Sequence, residues 1–344
     1  MTLKTIALTA VGLGLLASHG IADARSLRAV GSSTVYPFAK SVAERVARAN
    51  PRLGTPVIES TGTGGGMKLF CAGVGERYPD IANASRRMKA SEAKLCASNG
   101  VTKITEIQVG LDGVALATSK QTGMSGVSLR AIYLALAKTP FGKPNKAKTW
   151  RDVDSRLPAL PIRVYGPPST SGTRDALGEL LMTPACEANS SMAALKKTDE
   201  AKFKAICTGV RTDGAYIEAG ENDNLLVQKL AANPGSIGIL GYSYLEENPG
   251  KLKGLEVNAV APTYANISSF KYPGARPLYI YVKNAHVNAI PAIKAFVAEF
   301  TKESAIGPNG YLKGAGLIAA PNGVRARSQQ AARSMTVLNL ASLK

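Results

Sequence analysis

Short apolar runs alternate along this chain with stretches whose apolar residues recur at helical spacing. That alternation predicts an α/β fold with helices on both faces of its sheets. Residues 27–31, 56–59 and 80–84 read as strands, with helices over 39–49 and about 65–72 between them. Farther along, 162–166 and 236–240 read as strands, and about 173–181 and 225–232 as helices. Two longer β-rich runs, 109–118 and 277–282, lie far apart in sequence. No internal repeat at a fixed period and no low-complexity linker interrupts the pattern.

The first residues follow a different logic. Lys4 supplies a short positive segment, residues 6–17 form an apolar run, and Ala22, Asp23 and Ala24 make an Ala-x-Ala cleavage site. This order predicts a secretory signal peptide over 1–24, too short and weakly flanked for a membrane span. The mature protein is then expected to start near Arg25, soluble in the periplasm, with no lipid-anchoring cysteine. What remains is longer than one hydrophobic core usually serves, so two domains are expected.

The formal net charge is +18, and loss of the leader leaves it unchanged because Lys4 and Asp23 go together. Lys and Arg are scattered, aromatics make up only 6% of residues, and no reading helix or RNA-binding signature occurs. A general field attracting anions fits this better than a nucleic-acid footprint, and no nucleic-acid partner is expected. Four cysteines, Cys71, Cys96, Cys186 and Cys207, suggest two disulfides in an exported protein. Three pairings are possible, of which Cys71–Cys96 and Cys186–Cys207 are the local ones. Zinc is the competing use, but no Cys-x-x-Cys occurs and His286 is the only histidine beyond the leader. No cofactor or metal is expected.

Three times a predicted strand runs into a Ser/Thr/Gly loop that opens a helix. The loops are Gly31-Ser32-Ser33-Thr34-Val35-Tyr36-Pro37, the run from Ser60 through Thr63, Gly64 and Gly66 to Lys68, and Pro168-Ser169-Thr170-Ser171-Gly172-Thr173-Arg174. The first amides of a helix lack intrahelical partners and sit at the positive end of its dipole, so anions bind there. Glycine lets backbone approach a ligand, and hydroxyls add adjustable donors. In open α/β sheets such loops gather at the carboxyl ends of strands. Helix capping is the commoner use of any one such loop. The second loop is not a nucleotide P-loop, because the spacing to Lys68 is wrong and Leu69 stands where Ser or Thr is required.

With Ala84-Ser85-Arg86 after Asp80-Ile81, and Glu221-Asn222-Asp223-Asn224, the three loops carry a resemblance. Over nearly its whole length past the leader, the chain resembles the periplasmic phosphate-binding proteins of ABC-type phosphate uptake systems. The resemblance implies a type II, two-lobed periplasmic binding protein fold with two crossing hinge strands, here over 111–118 and 277–282. It places lobe one at 25–112 plus 280–344 and lobe two at 113–279. It further implies a monomer that holds inorganic phosphate and delivers it to membrane permease and ATPase subunits.

Phosphate would be held by Ser33, Thr34, Val35, Thr63, Gly64, Ser85 and Arg86 from lobe one. Ser171, Gly172, Thr173, Arg174 and Asp223 would close on it from lobe two. Two positions depart from the best-known form of the family. That form has an Asp, which accepts the phosphate proton, where Arg86 stands, and an Arg where Pro167 stands. A similar Ala-Ser-Arg pattern occurs in another branch. The positive charge is then expected from Arg86 and Arg174, and the proton acceptor from Glu221 or Asp223, with Glu59 behind. The usual basis for rejecting sulfate is weakened, which leaves a general oxyanion receptor, or an adhesion or signalling protein on the same fold, as the alternatives.

An enzyme is the remaining class. Ser171 before Gly172 could serve as a nucleophile only beside a base oriented by a third group. His286 has no motif around it and is expected at the surface, so no catalytic residue is assigned.

Overall fold

The computed structural model describes residues 25–343 except 170, 221 and 222; the expected leader and Glu221 lie outside them. The chain opens with three βα units: β1 (Arg28–Gly31), α1 (Tyr36–Ala49), β2 (Val57–Ser60), α2 (Thr63–Phe70), β3 (Ile81–Ala84) and α3 (Ala90–Ser98). Ala29 and Val30, on opposite faces of β1, are both fully buried, as expected of a strand covered on two sides. Phe38, Val42 and Val46 with Ala39 and Ala43 form the buried stripe of α1, and a Pro in its first turn helps start it. A side chain on Gly66 would collide with the Gly31 backbone, so this glycine is what lets α2 seat against β1.

Then follows β4 (Ile104–Ser119), the longest strand. Beyond it come β5 (Gly126–Val127), α4 (Leu129–Leu136), α5 (Trp150–Val153), β6 (Val164–Gly166) and α6 (Gly172–Ala176), which continues as a π-helical turn over Leu177–Met182. Later strands are β7 (Tyr216–Glu218), β8 (Ile237–Gly241), β9 (Leu252–Gly254), β10 (Glu256–Val257) and β11 (Ala275–Lys283). Among the described residues the main sheet has nine strands in the order β2-β1-β3-β11-β4-β8-β6-β7, with β9 also on β4.

β4 joins the two halves of that sheet. Residues 104–113 pair antiparallel with β11, and residues 114–118 pair antiparallel with β8. β1, β2 and β3 run parallel to one another, as do β6, β7 and β8. The apolar core divides in the same way. Phe38, Ile107, Phe296 and Phe300 belong to a cluster on one side of β4's first half. Leu116, Trp150, Leu177, Leu230 and Tyr272 belong to another around its second half. A third cluster, with Met67, Phe70, Met88 and Tyr281, fills the other face of the first half-sheet.

β11 lies in the first half-sheet, pairing β3 as well as β4, so residues 277–282 do not span the two halves as the resemblance implied. The return passage is just upstream, where the Val114 amide donates to Gly274 O at 2.9 Å. A further segment crosses beside it: Leu111 and Ile318 exchange both backbone hydrogen bonds, at 2.8 and 3.1 Å. The disulfides are the two local ones, Cys71–Cys96 and Cys186–Cys207, with all four cysteines buried. No helix among the described residues is long and apolar enough to cross a membrane.

His286 is a correction. It is not at the surface but 4% exposed, because buried Asp80 needs partners. Its Nδ1 sits 2.6 Å from Asp80 Oδ1, and its Nε2 accepts the Gly75 amide at 2.9 Å. Nδ1 therefore carries the proton. Burial pushes the Asp80 carboxyl up, yet hydrogen bonds from His286, Arg25 and the Arg28 amide outweigh it and leave Asp80 below the ordinary carboxylate value.

Candidate functional site

The loops after β1 and β6 come from opposite halves of the sheet and meet face to face. Ser33 Oγ donates to Asp175 Oδ2 at 2.6 Å, and Thr34 Oγ1 to Gly172 O at 3.3 Å. The approach is so close that a Cβ on Gly172 would lie 2.6 Å from both Thr34 N and Thr34 Cα. Val35 is fully buried, and its amide reaches Ser32 Oγ at 3.4 Å as α1 begins.

The second loop meets the end of β3. Thr63 Oγ1 accepts the Ser85 amide at 3.1 Å and lies 3.0 Å from Ser85 Oγ. Helix α2 starts at Thr63, two residues earlier than its sequence pattern suggests, which places Gly64 inside the first turn. Two residues before Ser85, the buried side-chain carboxamide of Asn83 has no protein partner for either its Oδ1 or its Nδ2. The end of β3 therefore retains an unused donor and acceptor.

Each arginine expected to supply charge already has a protein partner. Arg86 makes a two-pronged ion pair with Glu92, at 2.6 and 2.9 Å. That hydrogen-bonded carboxylate, against the opposing effect of burial, holds the Arg86 guanidinium above its ordinary value, and Glu179 adds to it through space. Burial raises Glu92, but Arg86 and the Lys89 amide more than reverse this, so both partners stay charged. Arg174 lies over the Tyr216 ring at 4.1 Å, with Nη1 3.5 Å from Pro167 O. Burial pushes the Tyr216 phenol up to about 12, and it donates to the same Pro167 O at 2.7 Å. Arg174 and Tyr216 thus brace the third loop from its own half of the sheet.

Ser171 caps α6, its hydroxyl accepting the Thr173 amide at 3.2 Å. With His286 committed to Asp80 and Gly75, the described residues form no Ser171–His286 pair. Glu59 is engaged by Arg28 at 2.5 Å. Asp223 begins the helix Asp223–Ala232.

The sequence reading missed the residue at the centre of the cleft. Arg276, only 4% exposed, donates from Nε to Asp112 at 3.1 Å, from Nη1 to Glu179 at 2.8 Å, and from Nη2 to Thr34 Oγ1 at 2.5 Å. Part of its signal was present: Asp112 is a charge inside the run 109–118, where an unpaired charge would be costly, while Arg276 stands one residue ahead of the run 277–282. Glu179 sits in the π-helical turn, a backbone irregularity frequent at functional sites.

A family model for the PBP superfamily domain matches residues 17–304. The chain is 37% identical over 294 residues to protein SphX of Synechococcus elongatus, covering 83% of this chain and 73% of that protein. It is 30% identical over 290 residues to the phosphate-binding protein PstS of Staphylococcus saprophyticus, covering 79% and 77% respectively. Among solved structures, a possible phosphate binding protein from Planctomyces limnophilus superposes with a TM-score of 0.73 at 27% identity, covering 90% of this chain and 98% of that one.

Proposed function

This chain belongs to the PBP superfamily, and from that premise we propose that it is an extracytoplasmic solute-binding protein that captures inorganic phosphate for an ABC importer. The observation that carries the reading is the meeting of the Thr34 and Gly172 loops from opposite halves of the sheet, beside the Thr63–Ser85 pair. Amides and hydroxyls from both sides suit a small tetrahedral anion. Closing the halves around it excludes water, which strengthens each charged hydrogen bond.

The halves are read as two lobes, residues 25–112 with the C-terminal segment and the middle of the chain. Their second boundary is drawn at about 272–276, because β11 pairs within the first half-sheet. Ser33, Thr34, Val35, Thr63, Gly64, Ser85 and Arg86 are assigned to the anion from one lobe. Ser171, Gly172, Thr173, Arg174 and Asp223 are assigned from the other. Arg86 reaches the ligand with the edge its Glu92 pair leaves open. The chain acts as a receptor and not as an enzyme. It works in the periplasm after cleavage near Ala24, and transport itself falls to separate permease and ATPase subunits.

A general oxyanion receptor is the second reading, favoured by one observation: the proton-accepting Asp of the best-known form is here Arg86, tied to Glu92. Equilibrium dialysis with labelled phosphate against sulfate, arsenate and a phosphonate separates the two. Phosphate is expected to be displaced by arsenate and not by sulfate. Sulfate competing as well as phosphate would shift the assignment to a general oxyanion receptor.

A further inference from the structure

Arg276 stands directly opposite Asp112 in the β11–β4 register, at the place where the chain passes between the two halves of the sheet. The Nε–Asp112 pair fixes the guanidinium to the hinge. Its remaining reach is divided between the lobes. Nη2 donates to Thr34 Oγ1 in lobe one; Nη1 donates to Glu179, and Nη2 also points to Gly172 O at 3.4 Å, in lobe two.

The consequence for Thr34 follows from hydroxyl chemistry. A hydroxyl has one hydrogen to donate and lone pairs to accept. With a guanidinium donating to its oxygen, the Thr34 hydrogen must point elsewhere, and its present acceptor, Gly172 O at 3.3 Å, is distant. An oxygen that accepts from a cation also makes its own hydrogen a stronger donor. We propose that Arg276 is a positioning residue of the phosphate site: it holds the Thr34 hydroxyl as a donor to the anion and ties that hydroxyl to closure of the cleft. This rests on the phosphate reading above. In the open cleft Arg276 keeps Asp112 and Thr34; closing adds Glu179 and Gly172 from the facing lobe. Glu179, 54% exposed, is the part of the contact that can be released.

The test is a double-mutant cycle read by phosphate affinity and by the rate of phosphate release, on the full mature chain. Arg276→Lys keeps the charge, but one ammonium cannot reproduce a planar fork spanning Asp112, Thr34 and Glu179. It is expected to weaken phosphate binding at least tenfold, mostly through faster release, with ligand-free melting within a few degrees of wild type. Thr34→Val is expected to lose a similar factor, and the double variant to bind within threefold of the weaker single variant. Fully additive losses, or Arg276→Lys binding within threefold of wild type, overturn the proposal. Should Arg276→Lys fail to fold, Glu179→Gln on its half-exposed side chain carries the test. Release about threefold faster with unchanged melting supports the coupling, and unchanged release overturns it. A wild-type chain that ignores phosphate would instead overturn the functional reading itself.

Discussion

Replacing Gly172 by Ala should separate folding from closure. In the closed cleft the new Cβ would lie 2.6 Å from Thr34 N and Cα and 2.9 Å from Ser33 C, where ordinary contact begins near 3.4 Å. These are backbone atoms, so no side chain can swing aside, and the two loops must part by about 0.8 Å. Overpacking of this kind costs about 1–3 kcal/mol, which corresponds to roughly 5- to 150-fold in affinity. Lobe two itself has no reason to suffer. Gly172 is the first residue of α6, and Ala is preferred over Gly within helices by about 0.5–1 kcal/mol. Calorimetric titration of phosphate into Gly172→Ala should therefore show at least fivefold weaker binding, while the ligand-free protein melts at or above the wild-type temperature. Small-angle scattering should show less compaction at saturating phosphate. Affinity within twofold of wild type would refute the claim that the Thr34 and Gly172 loops must touch for the anion to be held.

Arg86→Ala should lower phosphate affinity at least tenfold, about 1.4 kcal/mol, in the same titration; Glu92→Gln, which only frees the guanidinium, should cost less. Cleaving Cys71–Cys96 or Cys186–Cys207, each closing a loop of a few tens of residues, should lower the unfolding free energy by about 3 kcal/mol per bridge. Denaturant titration measures it, and phosphate binding should survive because no residue assigned to the anion belongs to either bridge. Lys283 tests pH linkage: burial pushes its amine down to about 8, only partly opposed by Asp80, while its ordinary value is 10.5. Between those values the unfolded chain binds more protons, so the Lys283 contribution to stability rises with pH across that window. Melting curves from pH 7.5 to 10 should show a steeper rise, or shallower fall, in wild type than in Lys283→Met.

The longer strands and the three loops were legible for a local reason, while the short β5, β7, β9 and β10 went unread. Apolar runs such as 162–166 end in Ser, Thr and Gly, and both signals lie within ten residues of each other. Positions whose role depends on distant partners were not. His286 looked unsupported because Asp80 is 206 residues away, and Arg276 went unread because its partner Asp112 lies 164 residues away. Arg174 illustrates a subtler limit. Its motif predicted an anion contact, but motif spacing says nothing of Tyr216, the aromatic face it lies against. The π-helical turn over Leu177–Met182 follows a sequence that reads as ordinary helix, so the reach of Glu179 to Arg276 could not be anticipated from periodicity. Arg86 was legible as a charge beside Ser85. Its pairing with Glu92, six residues on, holds the guanidinium in place from α3.

The central claim is that one phosphate is captured between the two lobes. Isothermal titration of phosphate into mature protein, first stripped of bound anion by unfolding and refolding, tests it most directly. The account predicts a single site per chain, with heat released on binding and compaction in parallel scattering measurements. Absence of both heat and compaction at millimolar phosphate would contradict it.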